Sequence, residues 1–231
     1  MKTKSFFSFG FLIPLLVSVS ALRLVAEQGT AATPTATAAS PVFQGEQKKI
    51  KEAIEQLFEA SKHVNAKDKV KKNSARASIE GALDWDRVAK DCMGKYWAKE
   101  SAANREAFKK ILREVMVKTA YTRLDTFWDD TTFTFDKIDV KGNEAFASSK
   151  FVVKSDMFSL EYYFFKKGAR WFINDISYED LRYSSNIREQ IEAFLKEKNF
   201  SALMDKLKKR RDDLDRGVKG AAQIPGATIK K

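Results

Sequence analysis

The sequence predicts an α+β domain with N-terminal helices, a four-stranded antiparallel curved sheet and two C-terminal helices. Apolar residues recur with a helical period before residue 128 and after residue 180, and with a period of two between them. Of the 231 residues, 44% are hydrophobic, which suits one folded domain and excludes wholesale disorder.

Helices dominate the first half of this domain. An amphipathic helix is predicted from about residue 44, because Ile50, Ile54 and Leu57 recur on one face. Further helices are predicted over 67–80 and from the N-cap Asp84 onwards. The longest, about 102–128, carries two apolar rows, so it is expected to be buried on more than one side.

The period changes to two after residue 130. The four predicted strands lie around 133–135 and over 145–153, 157–165 and 171–178. Glycine-containing turns at Gly142 and Gly168 and short connections favour an antiparallel meander. Two closing helices are predicted over 180–196 and 201–211.

Both ends of the chain differ from the domain. Residues 1–26 begin with lysines and continue as an apolar run with Pro14 and small residues near Ala21, which predicts a cleaved secretory signal peptide. An uncleaved membrane anchor is the alternative. Residues 27–45 are interpreted as a flexible linker, 46–211 as the ligand-binding domain, and 212–231 as a disordered tail.

The net charge is +11, and it remains +8 without the three basic residues of the signal peptide. A positive surface favours nucleic acid, phospholipid headgroups or acidic proteins as partners. The basic run Lys206–Arg211 is interpreted as the solvated face of a helix, and export argues against nucleic acid.

The chemical inventory is small, with one cysteine and one histidine. An internal disulfide and a multi-histidine metal site are therefore excluded. His63 is interpreted as a surface residue without an acidic partner at helical spacing, and Cys92 as a small buried residue. No catalytic residue, metal site or cofactor is predicted. If the protein were an enzyme of the ketosteroid-isomerase type, Asp175 and Tyr162 would be the only plausible catalytic residues.

The predicted sheet is unusually rich in aromatic residues. Residues 131–178 hold 12 aromatic side chains, half of those outside the signal peptide. One interpretation is a dry, filled core beneath the helices. The other is an apolar cavity between sheet and helices that accepts a hydrocarbon chain. Aromatic strands usually belong to a core, so the pattern alone favours the filled core, although periodicity cannot distinguish a filled core from a hollow one.

Candidate lipid-binding residues follow from the inferred inner faces. They are Phe133, Phe151, Val153, Phe158, Leu160, Tyr162, Phe164 and Trp171 from the sheet, and Phe108, Leu112, Val115 and Tyr121 from the long helix. Arg76 and Arg105 are candidates for headgroup contacts or docking, with ordinary salt bridges as the alternative.

An ordered set of short segments carries a family resemblance. The segments are Arg76-x-x-Ile79, Leu83-Asp84-Trp85-x-x-Val88-Ala89-Lys90, Gly94-x-x-Trp97, Ser101-x-x-x-Arg105-x-x-Phe108, Tyr121-x-x-Leu124, Gly142-Asn143-x-Ala145, Trp171-x-Ile173-x-Asp175-Ile176 and Asn186-x-Arg188. Together, over about 46–211, they resemble the MlaC, or toluene-tolerance, family of periplasmic phospholipid-binding proteins. The chain departs from the family's usual Glu-Gly-Val-Ser at 179–182, where it reads Glu179-Asp180-Leu181-Arg182.

The resemblance implies a non-enzymatic carrier of phospholipid between the inner and outer membranes, which maintains the lipid asymmetry of the outer membrane. It implies an MCE-domain ABC transporter and an outer-membrane lipoprotein–porin complex as partners. A related branch handles hopanoids, so a hopanoid or another hydrophobic ligand is an alternative cargo. A periplasmic interaction module with a filled core is a further alternative.

Overall fold

The structure is a computed structural model that describes residues 42–122, 131–153, 156–178 and 181–218. Its helices are α1 (Gly45–Ser61), α2 (Lys69–Ala82), α3 (Trp85–Met93), a 3₁₀ helix (Gly94–Lys99), α4 (Ala102–Tyr121), α5 (Tyr183–Glu197) and α6 (Phe200–Asp215). Its strands are β1 (Thr131–Lys141), β2 (Glu144–Val153), β3 (Asp156–Lys167), β4 (Arg170–Tyr178) and β5 (Leu181–Arg182). The α+β class is confirmed. Among these helices, none has the length and apolarity needed to cross a bilayer.

The strands form one antiparallel sheet in the order β1-β2-β3-β4-β5. Phe133 lies opposite Phe151, which lies opposite Phe158, so these three side chains share one face. Register shifts at Phe135/Lys137 and at Tyr163/Phe164 mark β-bulges, which bend the sheet.

The sheet has five strands, not the four that were predicted, and α5 starts later than residue 180. Leu181 and Arg182 pair with Tyr178 and Ser177 to form the two-residue β5. The backbone N–H of Ser184 donates to Oδ1 of Asp175, which holds the first turn of α5 at the end of β4. A tertiary hydrogen bond therefore sets this boundary.

Two other helix ends also differ from the prediction. Helix α4 is described to Tyr121, and the remainder of the predicted helix, including Trp128, falls in 123–130, outside the described residues. Helix α6 continues to Asp215, past the predicted end at residue 211. Asp213 pairs with Lys209 one turn earlier, and Asp215 pairs with Lys118 of α4, so local and tertiary ion pairs extend it.

The buried residues form two main clusters. The helical core joins α3, α4, α5 and α6 and comprises Val88, Ala89, Cys92, Met93, Phe108, Ile111, Leu112, Met116, Ile187, Ile191, Leu203, Met204 and Leu207. The sheet core joins α1 to the inner face of the sheet and comprises Ile50, Ile54, Ile138, Ala145, Ala147, Phe151, Leu160, Tyr162, Phe164, Trp171 and Ile173. The site described next lies between these clusters.

Candidate functional site: an apolar cavity between sheet and helices

A cavity of about 210 Å³ lies between the helical core and the sheet core. Apolar atoms make up nearly all of its wall. The wall consists of Ile54, Leu57, Phe58, Ser61, Ile79, Leu83, Trp85, Val88, Met116, Val117, Ala120, Tyr121, Phe151, Leu160, Tyr162, Ile173, Asn174, Asp175, Ile176, Tyr178, Leu181, Tyr183 and Ser184. The expected apolar cavity between sheet and helices is thus present.

Helix α4 contributes to the wall with its C-terminal half only. Met116, Val117, Ala120 and Tyr121 recur at helical spacing and face the cavity. The preceding apolar row, with Phe108, belongs to the helical core. The two rows detected in the sequence therefore serve two different purposes along one helix.

Three of the predicted sheet residues lie in the cavity wall: Phe151, Leu160 and Tyr162. Phe133 lies next to them, with its ring centroid 4.8 Å from that of Phe151. Phe158 shares the same face, and its ring centroid is 6.0 Å from that of Tyr178. Apart from Leu160, these residues are aromatic, and the strand register places all of them on one face of the sheet.

The other predicted sheet residues lie outside the cavity wall. Phe164 and Trp171 are on the inner face of the sheet, but they line a second groove beside α1 and α2. The side chain of Val153 lies outside the described residues, although its backbone pairs with Thr131 and Asp156. Their role in ligand binding stays a prediction.

Of the predicted α4 residues, Tyr121 alone lines the cavity. Phe108 and Leu112 are fully buried in the helical core, and Val115 is fully buried without reaching the wall. Their expected place in the wall was wrong, because α4 turns Phe108 and Leu112 towards α3, α5 and α6, and the wall of the cavity begins only at Met116.

Helix α1 supplies wall residues that the candidate set omits: Ile54, Leu57 and Phe58. The ring of Phe58 stacks on that of Phe133 at 5.0 Å between centroids. The apolar stripe of α1 was visible in the sequence, and it could have indicated this role. What the sequence did not contain was the fact that this stripe faces the aromatic end of the sheet.

Four tyrosines line the cavity: Tyr121, Tyr162, Tyr178 and Tyr183. The pKa values of Tyr121 and Tyr162 are raised, so neither hydroxyl is charged at neutral pH. Burial raises the pKa of Tyr162, and burial together with the Glu80 carboxylate raises the pKa of Tyr121. The Tyr121 hydroxyl donates to Oε1 of Glu80 at 3.3 Å. Such neutral walls suit a hydrocarbon ligand.

Asp175 borders the cavity, but its carboxylate is fully used for structure. Oδ1 accepts from the backbone N–H of Ile176 and of Ser184, both at 3.0 Å. Oδ2 accepts from the Ser184 hydroxyl at 2.7 Å and pairs with Nε of Arg182 at 3.0 Å. Four donors surround this acid, so it is arranged as a cap for α5.

Arg182, the last residue of the segment 179–182 that departs from the family resemblance, contacts two neighbouring strands. Its guanidinium lies 3.8 Å above the ring centroid of Tyr163 on the outer face of the sheet. The same side chain pairs with Asp175. An arginine at this position therefore links β5, β4 and β3 by contacts that a serine could not make.

Arg76 and Arg105 are both anchored to backbone carbonyls. Nε of Arg76 donates to Val64 at 2.8 Å, and its guanidinium lies 4.7 Å from the ring centroid of Tyr121. Nε of Arg105 donates to Trp97 at 2.8 Å. These bonds place both residues in the scaffold, and neither lines the cavity.

His63 and Cys92 lie away from any reactive constellation. The prediction that His63 lacks an acidic partner was wrong, because Glu59 one turn earlier lies 3.4 Å from its Nε2. Cys92 is fully buried, as predicted, and burial followed by the carboxylates of Asp175 and Asp91 raises the pKa of its thiol. Within the described ranges, no three His, Cys, Asp or Glu residues cluster as metal ligands would.

The fold is similar to that of a solved structure, the phospholipid-binding protein from Ralstonia solanacearum in complex with a phospholipid. The TM-score is 0.63 at 16% sequence identity, and the match covers 73% of this chain and 98% of that one. No curated protein matches the sequence. The family model described as MlaC protein matches residues 47–209, which span both cores and every wall residue of the cavity. On that match, the chain belongs to the MlaC family.

Proposed function

We propose that this protein is a carrier of phospholipid that holds the acyl chains of its cargo in the cavity between sheet and helices. The observation that carries the proposal is the cavity itself, since a domain with a filled core would leave no such space. Membership of the MlaC family and the phospholipid bound to the Ralstonia protein support the same ligand class.

The size of the cavity indicates that loading requires it to widen. Its volume of about 210 Å³ is below the roughly 300–1,000 Å³ of typical ligand sites. The cavity lies on the boundary between two separately packed clusters, so it can expand while each cluster stays intact. Burial of about 14 methylene groups contributes on the order of 11 kcal/mol, which can offset such a separation.

We further propose that the protein transports its cargo without chemical change. Asp175, the only acid that a ketosteroid-isomerase-type mechanism could have used beside Tyr162, is occupied by four donors. The wall offers neutral tyrosines and hydrocarbon, which favours binding over catalysis.

The proposal also includes the location of the carrier in the cell and its partners. A cleaved signal peptide over residues 1–26 would deliver it to the periplasm. There it would exchange phospholipid with an MCE-domain ABC transporter at the inner membrane and with a lipoprotein–porin complex at the outer membrane. The family resemblance supports this route, and the net positive charge of the domain suits anionic surfaces along it.

Lipid extraction followed by mass spectrometry tests the ligand. Protein purified from a periplasmic extract without detergent should release phospholipid in near-stoichiometric amount. Lipid-free protein should take up phospholipid from liposomes. Recovery of a hopanoid as the main ligand would favour the alternative cargo. Protein that carries no lipid and accepts none from liposomes would defeat the proposal.

A further inference from the structure

The turn between α1 and α2 carries an exposed group of charges that the cavity does not use. We call this surface the basic tip, and it consists of Lys67, Lys69, Val70 and Lys71. Residues 62–72 hold five lysines and one aspartate, a net charge of +4. Val70 stands 79% exposed among the lysines.

The lysines of the basic tip are free to meet an external partner. Among the described residues, no carboxylate forms an ion pair with the side chain of Lys67, Lys69 or Lys71. Asp68 is engaged as the N-cap of α2, where it accepts from the backbone N–H of Lys71 at 2.6 Å. Elsewhere on the surface many lysines have such partners, for example Lys109 with Asp86.

This placement works against the stability of α2. The first turn of a helix is the positive end of its macrodipole, where cations are unfavourable. Lys69 and Lys71 both occupy that turn, where the carboxylate of the N-cap Asp68 offsets only part of the cost. An anionic partner outside the protein would offset more of it.

A groove connects the basic tip with the interior. It has a volume of about 930 Å³ and runs beside α1 and α2, from His63, Val70 and Lys71 at the tip to Phe164 and Trp171 of the sheet. Leu57 and Ile173 line both this groove and the cavity. The two spaces are therefore separated by the thickness of single side chains.

The groove has charged residues at one end and apolar residues at the other, which favours one class of anionic partner over the others. Its outer end holds Lys49 and Lys71 together with the carboxylates of Glu52, Glu59 and Asp68, and the lysines of the basic tip add positive charge beside it. Its inner end carries the apolar side chains of Phe164, Trp171 and Ile173. A phospholipid bilayer is complementary to this arrangement, because its anionic headgroups lie at the surface and its hydrocarbon lies beneath them. Nucleic acid and acidic polypeptides match the lysines but have nothing for the exposed Val70 or the apolar end of the groove.

We propose that the basic tip docks the protein on bilayers that contain anionic phospholipid. The inference rests on the proposed carrier function and adds a docking surface to it. Each lysine near an anionic bilayer strengthens attachment about fivefold, so loss of three should weaken it by far more than tenfold.

Vesicle co-sedimentation of the full mature chain tests the docking surface. The tip variant is Lys67→Gln/Lys69→Gln/Lys71→Gln. The matched control, Lys90→Gln/Lys110→Gln/Lys141→Gln, removes the same charge from exposed lysines on α3, α4 and the end of β1. Wild type should bind vesicles of 30% phosphatidylglycerol in phosphatidylcholine, and added salt should weaken this binding. The tip variant should bind at least tenfold more weakly, and the control variant within twofold of wild type.

Equal losses in both variants, or equal binding to pure phosphatidylcholine vesicles, would overturn the proposal. Binding of the tip to polyglutamate but not to anionic vesicles would assign it to an acidic protein instead, and would also overturn it. Lipid content measured on the same samples separates the two hypotheses. If the wild-type protein holds lipid but the tip variant binds vesicles as well as wild type does, the docking surface alone is refuted. If the wild-type protein holds no lipid, the carrier function is refuted.

Discussion

The hydroxyl of Ser184 donates a 2.7 Å hydrogen bond to Oδ2 of Asp175, and this contact joins the first turn of α5 to β4. The backbone N–H of Ser184 donates to the other carboxylate oxygen at 3.0 Å. Since β4 and α5 both border the cavity, one carboxylate fixes the angle between a sheet wall and a helical wall.

Asp175→Asn should therefore destabilise the protein without changing what it binds. The amide nitrogen would face Arg182, whose guanidinium has only donors, and the negative charge that the four donors surround would be lost. The variant should therefore lose about 2 kcal/mol of unfolding free energy. Denaturant unfolding measures the loss, and lipid content should stay at the wild-type level. Asp139→Asn, which alters an exposed pair with Lys137, is the control and should cost less than about 1 kcal/mol. Unchanged stability of Asp175→Asn would contradict the capping role.

Ala120→Phe should reduce lipid loading while sparing the fold. Ala120 faces the cavity, so the added ring fills space that the ligand would occupy. Ala89→Phe makes the same change in the helical core, where Ala89 is fully buried, and should cost about 1–3 kcal/mol through overpacking. Thermal unfolding and lipid mass spectrometry on both variants give the comparison. If both variants were destabilised equally, the cavity would have no room for the added ring and therefore none for a ligand.

Glu46 should make stability depend on pH in the acid range. Its carboxylate accepts from Nε1 of Trp171 at 2.6 Å and pairs with Lys166 at 2.9 Å, which ties α1 to the sheet. Hydrogen bonds from Lys49, Lys166 and Trp171 lower the pKa of Glu46 from 4.5 to about 2. A carboxyl with a lowered folded-state pKa stabilises above its unfolded pKa, so this contribution is lost as the pH falls from 4.5 towards 2.

Glu46→Gln should flatten the pH dependence of stability in that window. Urea unfolding at pH 5, 4 and 3 should show a smaller decline for the variant than for wild type. Glu52→Gln is the control, because Glu52 pairs with Lys48 on the same helix, with 3.9 Å between the charged atoms. A decline as steep in Glu46→Gln as in wild type would show that this carboxylate does not couple α1 to the sheet.

Gly94→Ala should destabilise the junction between α3 and the 3₁₀ helix more than Gly142→Ala destabilises the β1–β2 turn. Both glycines have positive φ, 56° and 60°, so both variants incur about 1–2 kcal/mol of backbone strain. At Gly94 an added Cβ would also lie 2.7 Å from Cδ of Arg188 and from Oε1 of Glu192, whereas at Gly142 it would meet nothing within 4 Å. Chemical denaturation of both variants measures the difference, and equal losses would show that α5 yields without cost.

Much of the fold could be predicted because the relevant signals are local. Asp84 was predicted as an N-cap, and its side chain accepts from the backbone N–H of Arg87 three residues later. The period of two placed Phe133, Phe151 and Phe158 on one face, and the observed register confirms that shared face.

The boundaries that were missed depend on distant contacts. The start of α5 follows from Asp175, which lies on another element, and the end of α6 follows in part from Lys118 on α4. A short isolated β-bridge between Leu83 and Ile173 likewise joins residues 90 positions apart. No window of neighbouring residues contains such information.

The sequence by itself determined which faces are apolar, where the helices and strands lie along the chain, and that the candidate site is poor in reactive groups. Alternation and helical periodicity are properties of consecutive residues, so they can be read without a structure. Only the tertiary structure decided that Phe108 meets other helices while Tyr121 meets a cavity, although both belong to α4. The physical reason is that a filled core and a hollow one expose the same apolar pattern, and they differ only in how far apart the opposing elements are held.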